Sequence, residues 1–156
     1  MKLEITLNGR RISGDVTADT ALLDFLRAQG CYSVKRGCET ANCGMCTVLV
    51  DGRPMLSCAV PALRVNGKNV TTLEGLQAEA AEFAGFMADQ GADQCGFCNP
   101  GFVMNVLAML DELEDFSEEN IRAYLAGNLC RCTGFASQHR AIAAYLEHKK
   151  KGGGAL

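Results

Sequence analysis

Eight of the nine cysteines in this 156-residue chain stand in two close groups, and no other feature limits its fold as much. Cys38, Cys43 and Cys46 are spaced C-x4-C-x2-C, and Cys58 follows one predicted hairpin later. Cys95 and Cys98 are spaced C-x2-C, while Cys130 and Cys132 form C-x-C. Each set offers four thiolates, the number that closes either a 2Fe–2S core or a structural zinc site. Two such centres would staple halves that are each too small to hold themselves together by a large core.

The two sets differ in specificity. C-x4-C-x2-C with a later fourth cysteine is the plant-type ferredoxin spacing for a 2Fe–2S cluster and is unusual for zinc. Taken alone, the second set suits tetrahedral zinc as well as iron. In the first loop, Gly37 and Gly44 permit a tight bend, and inward N–H groups would stabilise an anionic cluster. The second set lies at expected helix ends, where unpaired N–H groups also favour negative charge. Two one-electron centres in one chain point to electron transfer. Arg131, between two candidate ligands, either offsets cluster charge or faces solvent. Cys31, just after a helix-ending Gly30, is expected to be a buried free thiol.

Charge narrows the partners. The formal net charge is -3, and two oxidised clusters would take the chain to about -7. The only basic run is Lys149-Lys150-Lys151, so nucleic acid is not an expected partner. Residues 1–10 alternate apolar and polar side chains, which reads as a strand and not as a signal peptide. The longest apolar segment, 102–110, is broken by Asn105 and too short for membrane insertion. An odd cysteine count without an export signal favours a reducing cytoplasm over a disulfide scaffold. No nucleophile–base set or nucleotide fingerprint is present, so substrate chemistry is not expected in this chain. His139 and His148 read as surface residues, Met104 and Met109 as core filler, and Asp111, Glu112, Glu114 and Asp115 as a solvated helix end.

The pattern predicts an α+β chain of two domains. In residues 1–76, Leu3, Ile5 and Leu7 alternate before an Asn8-Gly9 hairpin turn and a strand over 12–16. Asp19 or Thr20 is the expected cap of a helix through Leu22, Leu23 and Leu26. A second hairpin (47–50 and 53–58) and a strand over 70–73 complete a β-grasp sheet around that helix. Residues 77–150 carry four amphipathic helices, predicted at 77–90, 100–113, 118–126 and 137–150, hence a four-helix bundle. Asn99 and Ser117 are the expected caps of the second and third. Residues 151–156 read as a disordered tail.

Four motifs then resemble one family over nearly the whole chain: 33–38 (SVKRGC), 43–48 (CGMCTV), 94–101 (QCGFCNPG) and 127–134 (GNLCRCTG). They are similar to the small iron–sulfur subunit of molybdenum hydroxylases, the xanthine dehydrogenase family. The resemblance implies a plant-type ferredoxin domain followed by a four-helix 2Fe–2S domain. It implies two 2Fe–2S clusters in a hetero-oligomer whose other members are a large molybdopterin-binding subunit plus an FAD-binding one. The Cys95/Cys98/Cys130/Cys132 cluster would lie nearer the molybdenum, with Gln94 and Cys132 approaching the molybdopterin. The Cys38/Cys43/Cys46/Cys58 cluster would face the flavin or another acceptor. Family frequency favours a purine such as xanthine as the substrate hydroxylated in the partner. The rival readings are a free-standing two-cluster carrier and a zinc-structured binding module. Asn99, Phe135 and Gln138 depart from the family's usual threonine, tyrosine and isoleucine, and Gln138 puts local packing in question.

Overall fold

The structure, a computed structural model, describes residues 1–152. Alternation builds its first half. Strand β1 (Lys2–Leu7) turns Leu3, Ile5 and Leu7 inward and pairs antiparallel with β2 (Arg10–Asp15). Asn8 and Gly9 join them with φ of 49° and 79°, the double left-handed turn whose twist matches a hairpin. Asp51 and Gly52 repeat the device, at 50° and 83°, between β3 (Thr47–Val50) and β4 (Arg53–Leu56). Strand β5 (Asn69–Thr71) runs parallel to β1 and antiparallel to β3, giving the order β2-β1-β5-β3-β4.

Helix α1 (Leu22–Ala28) lays Leu22, Leu23 and Leu26 on this sheet, within one core that also takes Val48, Val50 and Val70. Burying each such side chain is worth about 1.5–3 kcal/mol, so this core outweighs the mostly exposed ion pairs. Gly30, at φ 90°, ends the helix: its N–H and that of Cys31 bond back to the carbonyls of Arg27 and Leu26. The start differs from expectation. Ala21 precedes the first turn without a side-chain cap, and the Leu22 N–H is satisfied by the Val60 carbonyl at 2.8 Å. Asp19 and Thr20 instead accept hydrogen bonds from Thr17. A tertiary backbone contact has replaced the local cap. The second hairpin also ends early, because Ser57–Ala59 tightens into a 3-10 turn that carries Cys58.

The second half holds α2 (Gln77–Asp89), α3 (Asn99–Glu112), α4 (Glu118–Tyr124) and α5 (Ala136–Lys151). Their apolar faces meet around Phe83, Phe102, Val106, Met109, Ile142 and Tyr145. Phe83 stands 5.2 Å from Tyr145 and 6.1 Å from Phe102, centroid to centroid, in tilted contact. Ser117 caps α4 as expected, accepting the Asn120 N–H. Asn99 does not cap α3. It lies inside the first turn, with Cys98 before it, and its amide donates to Asp93 at 2.9 Å. The basic run is largely paired, Lys149 with Glu82 and Lys151 with Glu147, both at 2.7 Å. Lys151 is the last helical residue and Gly152 a turn; the rest of the expected disordered tail, 153–156, lies outside the described residues. No described helix is long and apolar enough to cross a membrane.

The halves meet where α3 lies across β3 and the loop before it. A Cβ on Gly101 would collide with the Gly44 carbonyl and stand 2.8 Å from Met45 Cα, so only glycine permits this approach. Asn105, the residue that interrupts the apolar stripe of α3, bonds across the seam to Thr47 Oγ1 (3.2 Å) and, within its own half, to Asn128 Oδ1 (2.8 Å). Thr47 in turn donates to the Gly44 carbonyl at 2.7 Å. We predict that Gly101→Ala costs about 1–3 kcal/mol, because backbone lies opposite and cannot rotate aside. Gly85, in α2 with ordinary φ and open space where a Cβ would go, is the control. Gly85→Ala is expected to gain about 0.4–1 kcal/mol. Urea denaturation of the iron-loaded proteins checks both signs.

Candidate metal centres

All eight clustered cysteines are free thiols gathered into two quartets. In the first, the loop 37–46 folds back between α1 and β3. The Cys38 and Cys43 side chains are within hydrogen-bonding reach of each other, as are those of Cys46 and Cys58. Cys43 and Cys46 are buried, whereas Cys38 and Cys58 are half-buried. The Asn42 N–H points at Cys38 Sγ from 3.4 Å. That bond and the N–H groups of Thr40 and Cys43 pull the Cys38 thiol down to about 6. Burial pushes Cys58 the other way, up to about 12, reinforced by Cys46. Cys43 is also raised, again chiefly by burial. Gly37 leaves the cradle open: a Cβ there would strike the Met45 sulfur and sit 3.1 Å from Cys43 Sγ.

The second quartet joins two loops. Cys95 and Cys98 lead into α3, and Cys130 and Cys132 lie between α4 and α5. Their side chains also face in pairs, Cys98 with Cys130 and Cys95 with Cys132. Burial raises Cys98 to about 12. Burial opposes ionisation of Cys130 too, but Thr133 overcomes it, donating from Oγ1 at 3.1 Å and from its N–H at 3.4 Å. Cys95 and Cys132 are exposed, and so is Gln94 beside them. Phe97, Leu129 and Phe135, each within three residues of one of these cysteines, stand 44%, 46% and 38% exposed, an apolar rim on the loops that carry the pair.

This donor layout suits a two-iron core. Each quartet splits into two facing thiol pairs, one for each iron, and backbone or hydroxyl donors already point at sulfur. A single tetrahedral zinc, which spacing alone left open for the second quartet, would need all four thiolates on one ion instead of two facing pairs. Iron binding would displace the protons that burial holds on Cys58 and Cys98, coupling cluster assembly to pH.

The quartets are connected. The Leu129 N–H donates to the Cys43 carbonyl at 3.0 Å, so one hydrogen bond and otherwise covalent bonds link Cys43 to Cys130. Sequence reasoning missed Leu129, Asn105, Asn128 and Thr133. Of these, Thr133 had a visible signal, a hydroxyl directly after C-x-C, and Asn105 had another, a polar residue in an apolar stripe. Cys31 is the buried thiol expected, raised by burial. His148 is exposed, but His139 is half-buried and its pKa is lowered by that burial and by Arg122. Arg131 is exposed.

Comparison with known proteins agrees with this geometry. Residues 5–68 match the 2Fe-2S iron-sulfur cluster binding domain, and residues 72–143 match the 2Fe-2S binding domain that follows it. The chain is 44% identical over 138 residues to the xanthine dehydrogenase iron-sulfur-binding subunit of Escherichia coli O157:H7, covering 85% of this chain and 86% of that one. It belongs to the small iron–sulfur subunits of the molybdenum hydroxylase family. The nicotinate dehydrogenase small FeS subunit of Eubacterium barkeri is 36% identical over 148 residues, 93% of this chain and 94% of the relative. Among solved structures, quinoline 2-oxidoreductase from Pseudomonas putida 86 superposes with a TM-score of 0.87 at 33% identity, covering 100% of this chain and 98% of that chain. In the aldehyde oxidoreductase of Megalodesulfovibrio gigas the matching region is 17% of a longer protein, at 38% identity over 94% of this chain. This family member is therefore an iron–sulfur electron-transfer subunit of an oxidoreductase, with the α+β architecture read from its sequence.

The pairing predicts the outcome of substitution. Cys43→Ser is expected to remove one of two paramagnetic signals seen after reduction, and Cys98→Ser the other. Iron should fall from about four to about two atoms per chain in each case. Loss of both signals from either variant, in a chain that remains folded, would contradict two separate centres.

Proposed function

We propose that this subunit carries electrons from a molybdopterin-bearing partner, through the Cys95/Cys98/Cys130/Cys132 quartet and then the Cys38/Cys43/Cys46/Cys58 quartet, to an FAD-binding subunit or another acceptor. The observation that carries this reading is the Leu129–Cys43 hydrogen bond, which gives the two thiolate sets a short bonded route. Tunnelling through bonds decays more slowly than across an empty gap, so this contact favours serial transfer over independent use of the two sites. A 2Fe–2S cluster in each set supplies the one-electron couple.

The chain's own residues set direction and insulation. Gln94, Cys95 and Cys132 are exposed within the rim of Phe97, Leu129 and Phe135, which supports entry at this end. Covered by a partner, that rim would exclude water and lower the local dielectric, strengthening contacts from Gln94 and Cys132 to the pterin. Cys43 and Cys46 are buried, whereas Cys38 is half-buried beside exposed Glu39 and Thr40, which supports exit there. Asn42, Thr133 and the loop N–H groups stabilise added negative charge at each stop.

Relatives named for xanthine, nicotinate, nicotine, caffeine and quinoline favour a nitrogen heteroaromatic as the substrate oxidised in the partner chain. Xanthine is one such compound. The complex would work in the reducing cytoplasm, where eight thiols remain available to iron. Anaerobic isolation of the native complex is the test. About four iron atoms per chain, copurifying molybdenum and flavin, and bleaching of both clusters by a heteroaromatic substrate are expected. A solitary stable chain that reduces unrelated acceptors would favour a free-standing carrier, and an iron-poor, zinc-loaded protein would overturn the reading.

A further inference from the structure

Lys35 lies outside both quartets but touches both of their loops. Its backbone N–H bonds the Met45 carbonyl at 3.2 Å, inside the C-x2-C turn of the first quartet. Its ammonium reaches across to the second half, donating to the Phe97 carbonyl at 3.3 Å and standing 4.9 Å from the centroid of the Phe97 ring. Phe97 is the residue between Cys95 and Cys98 that precedes the latter, so the bonded carbonyl belongs to the same peptide unit as the Cys98 N–H. That N–H is the backbone amide of the ligand residue itself, next to its sulfur, where it favours negative charge. A cation on the carbonyl end of a peptide polarises it and strengthens the donor at its other end. The ring contact adds a second hold on the same loop.

We infer that Lys35 is a positioning residue of the second cluster: it fixes the Cys95–Cys98 turn from the opposite half and raises that cluster's reduction potential. The physical ground is charge. A diferric cluster held by four thiolates is a dianion and becomes a trianion on taking one electron, so a fixed cation beside its loop favours the reduced form. The polarised Cys98 amide acts in the same direction. Among the described residues the Lys35 ammonium makes no hydrogen bond to the first loop, which it meets through a backbone N–H that every substitution except proline retains, so the first cluster should respond less.

This inference rests on the two-cluster reading, and the two can fail separately. The native complex and its Lys35→Met, Lys35→Gln and Lys35→Arg variants would be titrated with dithionite as the electron donor, following both paramagnetic signals. Lys35→Met should disfavour reduction of the second cluster about tenfold, about 59 mV for one electron, with the first cluster shifted less. Lys35→Arg should restore most of the difference, while Lys35→Gln, a donor without charge, should fall between. An unchanged second potential in Lys35→Met, or equal shifts of both clusters, would overturn the role of Lys35. If Lys35→Met loses the second signal altogether, retention by Lys35→Arg supports the inference and loss from Lys35→Arg as well overturns it. Absence of two signals from the unsubstituted protein would sink the underlying reading instead.

Discussion

The seam between the halves is the constraint on which the other features depend. Gly44 and Gly101 bring backbone against backbone, leaving no room for a side chain on either face. Close approach of this kind desolvates peptide groups, and an unpaired buried amide is costly. Asn105, Asn128 and Thr47 meet that demand with hydrogen bonds that close on the Gly44 carbonyl and on one another. Only because the seam is this tight can Leu129 reach the Cys43 carbonyl and Lys35 reach Phe97. The electronic connection is therefore a consequence of packing, not an addition to it.

Much of the first half is readable from sequence because its signals are local. Asn8-Gly9 and Asp51-Gly52 need left-handed backbone, and alternation of Leu3, Ile5 and Leu7 fixes which face is buried. The four helical stripes are legible for the same reason. Misreadings cluster where a distant partner satisfies a group that local chemistry was expected to satisfy. Val60 supplies the acceptor at the start of α1 that Asp19 or Thr20 was expected to provide. Asn99 turns to Asp93 once Cys98 takes the position before the helix. The cysteine spacing marks the candidate ligands, but not which thiols face each other, since that depends on how the two halves dock. The interrupted stripe at Asn105 was visible, yet its meaning lay on the other side of the seam.

Gln138 shows the same limit from another direction. It stands where the family commonly has isoleucine, and the structure buries it to 2% exposure on the inward face of α5 with Ala141, Ile142 and Tyr145. Its Nε2 has no hydrogen-bond partner among the described residues. A buried amide donor without an acceptor carries a desolvation penalty of about 1–3 kcal/mol.

The uneven burial of the thiols also bears on how such a chain is loaded. Cys43 lies beneath the Leu129 contact and Cys46 is buried, whereas Cys38 remains at an accessible margin. In the other set Cys95 and Cys132 are open while Cys98 is enclosed. A chain covering Phe97 and Phe135 would shut Cys95 and Cys132 away as well, so iron would have to reach that set before the cover is in place.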